Sequence, residues 1–246
     1  MIYIFGGVGK TGCSTLAIDF ANQFGLQRAY GGAYMREEAM KAGFFIGNYL
    51  LPEDKSEWDL DQANVPGFRE MCARTGRSID TEIEGYLVKE MITSQADGKD
   101  LVVESKTMSR LLNSDIFDPL VESTASELGL EQTFTREKLL NRTRAIWVHT
   151  NLEIRARRSL GKNHFPKGSH ELSPHGFSNE LIEHEASQLI ARQMADKEDY
   201  SRLYGMADYP VGNEIPPTTY GNILINNGDK ESAYVQVLQM MGKTSI

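Results

Sequence analysis

The first 26 residues contain an apolar strand pattern, a glycine-rich loop and a helix pattern in direct succession. Ile2 to Phe5 has the length and composition of one buried strand, and glycines follow at positions 6, 7, 9 and 12. Ser14 and Thr15 are expected to cap the next helix, which has an apolar face and ends at Gly25. This is the layout of a phosphate cradle, because glycines let backbone N–H groups turn inward and a helix N-terminus adds partial positive charge.

The loop fits the general phosphate-binding pattern in a first register that begins at Gly7. Gly12 is then the second glycine of the pattern, Cys13 occupies the usual lysine position, and Ser14 supplies the magnesium-binding hydroxyl. The run that follows, Ser-Thr-Leu-Ala ending in Gly-Leu, is similar to the helix that follows the loop in nucleoside monophosphate kinases. We therefore prefer this register.

A second register reads GGVGKT over residues 6–11, with Lys10 as the lysine and Thr11 as the hydroxyl. It is similar to the loop of the ParA and MinD ATPases, but Phe5 replaces their additional lysine and Ile4 replaces the first glycine of the general pattern. In the preferred register Cys13 lies at a helix N-terminus, which we expect to favour its thiolate. Lys10 lies within the loop, where it could supply the positive charge that Cys13 lacks.

Composition narrows the class of protein. The 246 residues have a net charge of −8, which argues against broad nucleic-acid binding, and 40% hydrophobic content without a membrane-length apolar run. Cys13 and Cys72 are too few for a disulfide framework. With no signal-peptide pattern, we expect a cytoplasmic protein that binds neither membranes nor nucleic acid.

Later segments match a known family in order along the chain. They are Val102-Val103-Glu104-Ser105-Lys106, a strand pattern at Ile146 to His149 followed by a helix with Arg155 and Arg158, and a long helix with Asp199 and Arg202 before Tyr-Gly-Met. With the loop, these segments resemble the archaeal-type cytidylate kinases, a group of P-loop nucleoside monophosphate kinases. The resemblance runs from residue 2 to about residue 241 and is interrupted mainly at 108–143.

The resemblance implies an α/β P-loop NTPase fold, with a parallel central sheet flanked by helices on both faces. Apolar runs predict strands near 2–5, 101–104, 145–149 and 223–226. We expect a single domain over 1–246, with an acceptor-binding region at 30–95 and a lid-like loop at 159–178. A helical insertion at 108–143, broken at Pro119 and near Gly129, is a candidate surface or oligomer contact.

The family transfers the γ-phosphate of ATP to CMP or dCMP with Mg²⁺, so the expected ligands are small nucleotides. The ATP-binding residues that the resemblance implies are Gly7, Gly9, Lys10, Thr11, Gly12, Cys13, Ser14 and Thr15. It assigns catalytic charge to Lys10, Arg155 and Arg158. Ser14 would bind the metal directly, and Glu104 would bind it through water.

The acceptor site that the resemblance implies combines Arg36, Asp80, Lys106, Asp199 and Arg202. A guanidinium at position 36 would grip the acceptor phosphate in a bidentate fork, although a solvated helix charge is the plain alternative. Asp80 would contact the base or ribose, or would simply cap its helix.

The sequence departs from the family at four sites that matter. They are Cys13 for the loop lysine, Gly31 for a serine, Lys106 for an arginine and Ala195 for another arginine. Three hypotheses follow: a nucleotide kinase with the acceptor of the family or a shifted one, a nucleotide-binding module with weak or lost transfer, and, least favoured, a ParA/MinD-like ATPase.

Overall fold

The computed structural model describes residues 1–131, 134–164 and 176–243, with only the backbone described at 162–164. These residues form one five-stranded parallel sheet in the order β2-β3-β1-β4-β5. The strands are β1 (Ile2–Gly7), β2 (Gln27–Tyr30), β3 (Leu101–Glu104), β4 (Thr143–His149) and β5 (Asn222–Ile225). β1 is central and pairs with both β3 and β4, so the glycine loop that follows it leaves the middle of the sheet.

The helices connect the strands in α/β fashion. They are α1 (Cys13–Phe24), α2 (Gly31–Lys41), α3 (Val65–Thr75), α4 (Ile79–Ala96), α5 (Met108–Leu111), α6 (Phe117–Glu127), α7 (Arg136–Asn141), α8 (Leu152–His164), α9 (Asn179–Tyr204) and α10 (Lys230–Met240). Short 3₁₀ turns occur at Lys55–Glu57, Leu60–Gln62 and Thr218–Tyr220. No described helix is both long and apolar enough to cross a membrane.

Alternate side chains of β1 enter two separate cores, as the period of a strand requires. Ile2 and Ile4 join the larger core, which includes residues of α2 to α7 and α9. Tyr3 and Phe5 join the smaller one, with α1 and α10. Helices therefore cover both faces of the sheet, which confirms the predicted fold class.

The four predicted strands are confirmed, but β2 was missed. Its sequence begins with Gln27 and Arg28, both exposed, because β2 lies at the edge of the sheet. A polar edge strand lacks the apolar run that identifies a buried one.

Three local predictions about the helices are wrong. Ser14 and Thr15 do not cap α1, because Gly12 is the N-cap, in the left-handed conformation, and no side chain caps the helix. Asp80 is not a cap either; it lies in the first turn of α4, whose N-cap is Ser78. Pro119 does not break a helix, since it lies in the first turn of α6, where a proline is tolerated.

The segment at 108–143 contains α5, α6 and α7, as the helical prediction required. Phe117, Val121 and Ala125 of α6 are buried in the larger core, and α6 packs on α4. The segment therefore completes this core rather than decorating the surface. Thr135 caps α7 by accepting a hydrogen bond from the Lys138 N–H.

The lid-like loop predicted at 159–178 is wrong over its first residues, because α8 continues through His164. Leu160 is buried in a small cluster with Ile182 and Leu189 of α9, and this packing extends the helix beyond the apparent end of its pattern. Residues 165–175 of the predicted loop lie outside the described residues.

Candidate active site

A cleft of about 480 Å³ opens where β1 and β3 end. The carboxyl edge of a parallel sheet is the usual place for ligands in α/β proteins. The predicted ATP-binding residues at 7 and 9–15 all line one wall. Charged side chains from later elements also line the cleft: Arg36, Arg69, Asp80, Glu84, Glu104, Lys106 and Arg192.

The glycine loop is tightly folded. At Gly7, a Cβ atom would stand 2.8 Å from the Thr11 Oγ1 atom and 2.9 Å from the Val148 carbonyl oxygen, so no larger residue fits. Gly12 has a φ of 87° and leads directly into α1. Lys10 has a φ of 69°, the only positive φ of a non-glycine residue in the described part of the chain. A non-glycine residue with a positive φ has an unfavourable backbone conformation, which persists only where the surrounding structure enforces it.

Side chains from α8 and from the residues directly after β4 and β5 hold the outer side of the loop. The carbonyl oxygen of Thr11 accepts hydrogen bonds from Thr150 Oγ1 at 3.0 Å, Asn226 Nδ2 at 2.7 Å and Arg158 Nη1 at 3.0 Å. We call this set, together with Arg155, the loop support. Three donors on one carbonyl fix the peptide plane of the loop from the side away from the cleft.

Arg155 completes the loop support. Its side chain is only 1% exposed, its Nε atom donates to the Gly9 carbonyl at 3.0 Å, and its Nη1 atom donates to the Gly212 carbonyl at 3.1 Å. Burial lowers the pKa of Arg155 and of Arg158. The structure thus brings both arginines to the loop, but neither lines the cleft in which the sequence placed their charge.

Ser14 and Glu104 meet at the base of the cleft. The Ser14 hydroxyl donates to Glu104 Oε1 in a close contact, and Arg28 Nη1 donates to Glu104 Oε2 at 2.9 Å. Burial raises the pKa of Glu104, while the hydrogen bond from Ser14 and the charge of Arg28 oppose the shift. Hydroxyl and carboxylate oxygens are the ligands that Mg²⁺ prefers, so the pair predicted for the metal fits it.

The Ser14–Glu104 pair alone would make a sparse metal site. No group of three or more His, Cys, Asp or Glu side chains that could hold a metal occurs among the described residues. Magnesium in nucleotide sites is typically held by one or two carboxylates, water and the substrate phosphates, and a serine and a carboxylate suit that coordination.

The same geometry distinguishes the two registers of the loop. The Thr11 hydroxyl is buried and donates to the Val8 carbonyl at 3.1 Å, so it is committed to the loop itself. The Ser14 hydroxyl instead lies against Glu104 at the cleft. These contacts favour the register in which Gly7 and Gly12 are the glycines of the pattern.

Cys13 differs from the sequence-based expectation. We expected the helix N-terminus to favour its thiolate, but burial in the smaller core raises the pKa of Cys13, and the negative charge of Glu104 raises it further. The expectation was wrong because desolvation outweighs the helix dipole. Cys13 is therefore a neutral thiol packed near Phe5 and Leu16.

The predicted acceptor residues divide into two groups. Arg36, Asp80 and Lys106 line the cleft. Asp199 and Arg202 do not; they form an ion pair with each other at 2.6 Å on the exposed side of α9, with 47% and 71% of their side chains accessible.

Residues on a different face of α9 take the place expected for Asp199 and Arg202. Arg192 and Tyr200 line the cleft, and Asp196 forms an ion pair with Lys106 at 2.6 Å. Burial lowers the pKa of Lys106, and the charge of Asp196 opposes this. The spacing of 192, 196 and 200 places these side chains on one helical face, a signal that the sequence contained and that the motif comparison overlooked.

Arg69 and Glu84 are cleft residues that the sequence analysis missed. Arg69 of α3 donates through Nη2 to Asp80 Oδ1 at 3.1 Å, which joins α3 to α4 across the cleft wall. Glu84 follows Asp80 by one turn and is buried. We call the surface formed by Arg36, Arg69, Asp80, Glu84, Lys106 and Arg192 the acceptor arm.

Comparisons with known proteins return only distant structural similarity. No family model matches the sequence, and no curated protein matches it significantly. A candidate kinase from Chloroflexus aurantiacus aligns over 99% of this chain and 98% of its own, at 13% identity and a TM-score of 0.48. Deoxyadenosine kinase from M. mycoides, with bound dATP, aligns over 99% and 100%, at 9% identity and a TM-score of 0.33. Similarity this low does not carry a functional argument, so the case for function rests on the cleft itself.

Proposed function

We propose that this protein transfers the γ-phosphate of ATP to a small phosphate-bearing acceptor, with CMP or dCMP as the leading candidates. One observation carries the proposal. A single cleft joins a glycine loop, with its Ser14–Glu104 pair, to an arm lined by the cations Arg36, Lys106 and Arg192. A kinase for monophosphates needs just these two anion sites in one cavity, because donor and acceptor phosphates must approach each other in line.

The loop would hold the phosphates of ATP. Its backbone N–H groups and the N-terminus of α1 favour negative charge, and the loop support keeps them in place before the ligand arrives. Lys10 lines the cleft and is our candidate for the positive charge that the family places at position 13. Ser14 and Glu104 would hold Mg²⁺, which neutralises phosphate charge when bound.

The acceptor arm would bind the second substrate. Arg36 lies with its guanidinium 5.9 Å from the centre of the Tyr30 ring, and its Nη1 atom donates only a long hydrogen bond of 3.4 Å to the Gly32 carbonyl. It can therefore turn to a phosphate at little cost. Transfer needs no covalent intermediate on the protein: the acceptor phosphate oxygen bonds to the γ-phosphorus as the bond to ADP breaks.

A nucleotide-binding module with weak or lost transfer is the second candidate, and Cys13 favours it. A buried neutral thiol cannot reach over the β- and γ-phosphates as a lysine does. The ParA/MinD-like alternative has less support, since Thr11 would have to supply the metal-binding hydroxyl and that hydroxyl is committed to Val8.

A coupled assay of ADP formation across CMP, dCMP, UMP, AMP and non-nucleotide acceptors tests the proposal. We expect Mg²⁺-dependent ADP formation only when a monophosphate acceptor is present. The Glu104→Gln variant should lose this activity, while Glu122→Gln, on α6 and outside the cleft, should retain it. ATP binding without turnover for any acceptor would replace the proposal with the binding module.

A further inference from the structure

Glu84 is the most unusual side chain of the cleft. It is only 5% exposed, and its Oε1 atom accepts hydrogen bonds from the Thr107 hydroxyl, in a close contact, and from the Ser105 hydroxyl at 3.4 Å. Its Oε2 atom is buried without a hydrogen-bonding partner. Buried carboxyl oxygens are nearly always satisfied, so an orphaned one beside a cavity needs an explanation.

The partners of Glu84 indicate what is missing. Both of them, Thr107 and Ser105, donate to the carboxyl group, so the protein surrounds it as a hydrogen-bond acceptor. The group that would complete it is therefore another donor. Glu84 does not contact the glycine loop through any described hydrogen bond, and it lies on α4 among the residues of the acceptor arm.

We infer that Glu84 determines acceptor specificity, its Oε2 atom receiving a hydrogen bond from an N–H or O–H group on the nucleoside end of the acceptor. This inference rests on the proposed function and names the chemistry that the same cleft selects. The nucleoside end is the part concerned because a buried carboxylate repels a phosphate, whereas Arg36 and Lys106 attract one.

The donor could belong to an exocyclic amine, a ring N–H or a sugar hydroxyl, which share the same hydrogen-bonding chemistry. We expect the amine, as in cytosine, because a carboxylate oxygen pairs well with an amino group in base recognition. An acceptor that lacks the donor would leave this carboxylate unpaired. The discrimination against such an acceptor would be much larger than the discrimination caused by one missing methyl group.

The charge state of Glu84 makes the contact dependent on pH. Burial raises its pKa to about 7, the hydroxyl of Thr107 lowers it, and the charge of Asp80 on the same helix raises it. On α9, burial raises the pKa of Tyr200 and of Tyr204, and the charge of Glu84 raises both further, which keeps the two tyrosines neutral. Lys106, between Ser105 and Thr107, is ion-paired with Asp196.

The sign of the pH effect follows from the donor chemistry. A ligand donor binds the carboxylate better than the carboxylic acid, so acceptor affinity falls as Glu84 becomes protonated below pH 7. One pH unit below the pKa, about a tenth of the molecules carry the carboxylate, which predicts about tenfold weaker binding at pH 6 than at pH 8.

Calorimetric titration with CMP, UMP and dCMP from pH 6 to pH 8 tests the inference without requiring turnover. We expect wild-type protein to prefer CMP over UMP and to show the pH effect, and Glu84→Gln to lose both. Glu90→Gln, on the same helix but outside the cleft, should behave as wild type. A preference for UMP would place the donor at the ring N–H, and weaker binding of dCMP than of CMP would place it at the sugar hydroxyl. In both cases the difference in affinity must also vanish in Glu84→Gln.

Unchanged discrimination and pH dependence in Glu84→Gln would overturn the inference, as would failure of the wild-type protein to bind any of the three nucleotides. If Glu84→Gln does not fold, Thr107→Val decides. It removes a donor that stabilises the carboxylate, so the midpoint of the pH effect should move upward, and an unmoved midpoint overturns the inference. Glu84-dependent binding without phosphoryl transfer would instead reject the proposed function and leave the inference in place.

Discussion

The loop support and the acceptor arm flank the same cleft but are built by different means. In the loop support, buried side chains such as Arg155 and Asn226 donate to backbone carbonyls and do not line the cleft. In the acceptor arm, charged side chains form ion pairs between different elements, as Lys106 does with Asp196 of α9 and Arg69 of α3 does with Asp80 of α4. One part fixes a backbone shape; the other holds charges that a ligand can recruit. Mutations should therefore separate them, with stability lost on one side and binding on the other.

Removal of the Arg155 side chain should have the largest effect on stability. Arg155→Ala leaves the Gly9 and Gly212 carbonyls without their donor and opens a cavity, which should lower the free energy of unfolding by about 3–4 kcal/mol. Arg157→Ala is the matched control, because Arg157 pairs with Glu153 near the surface and should change stability by less than about 1 kcal/mol. If denaturant unfolding shows the same loss of stability for both variants, Arg155 in the loop support contributes no more than an arginine near the surface.

The Ser14 hydroxyl should affect turnover rather than stability. Ser14→Ala removes the contact with Glu104 at the proposed metal site, and we expect a loss of about 2 kcal/mol in transition-state stabilisation, about 30-fold in kcat/KM. The Mg²⁺ concentration for half-maximal activity should rise. Ser187→Ala, on an exposed part of α9, should change neither value, and a Ser14→Ala variant with normal Mg²⁺ dependence would place the metal elsewhere.

Substitutions of Arg36 and Arg202 distinguish the acceptor arm of the structure from the acceptor site that the sequence predicted. Arg36→Ala should weaken acceptor binding by about 1.5 kcal/mol, about tenfold in KM, and leave the KM for ATP unchanged. Arg202→Ala should leave both values unchanged, because Arg202 pairs with Asp199 outside the cleft. The reverse pattern would restore the sequence-based assignment.

The smallest predicted effect of a site variant concerns Lys10. Its φ of 69° disfavours any residue with a Cβ atom, so Lys10→Gly should be more stable than Lys10→Ala by about 1 kcal/mol. Both variants should lose ATP affinity to a similar extent if the role of Lys10 is its charge. Thermal unfolding of the two variants measures the change in stability, and nucleotide titration measures the change in ATP affinity. Normal ATP affinity in both variants would show that Lys10 does not supply the positive charge that Cys13 lacks.

The parts predicted well from sequence depend on local signals. β1, the glycine loop and α1 follow one another, so their pattern of apolar residues and glycines is read directly along the chain. β2 was missed because Gln27 and Arg28 are polar residues of an edge strand, without an apolar run. The role of Cys13 was misjudged because its burial depends on residues distant in sequence, such as Val148 and Leu224.

The acceptor arm was harder to predict because it depends on which face of each helix turns toward the cleft. Arg69 and Glu84 carry no local motif, and only the packing of α3 and α4 brings them into the cavity. On α9, the motif match selected Asp199 and Arg202, whereas the face that meets the cleft carries Arg192 and Tyr200. A motif gives the position of a helix in the chain but not its rotation about its own axis.

We expect the loop and the acceptor arm to act as one site for phosphoryl transfer. Phosphorus NMR of a mixture of ATP, Mg²⁺ and CMP with the wild-type protein tests it most directly, with dCMP, UMP and AMP as parallel acceptors. We expect ADP and a nucleoside diphosphate to form in equal amounts with at least one acceptor, and no such product with Glu104→Gln. Unchanged ATP with every acceptor, or inorganic phosphate without a phosphorylated acceptor, would contradict it.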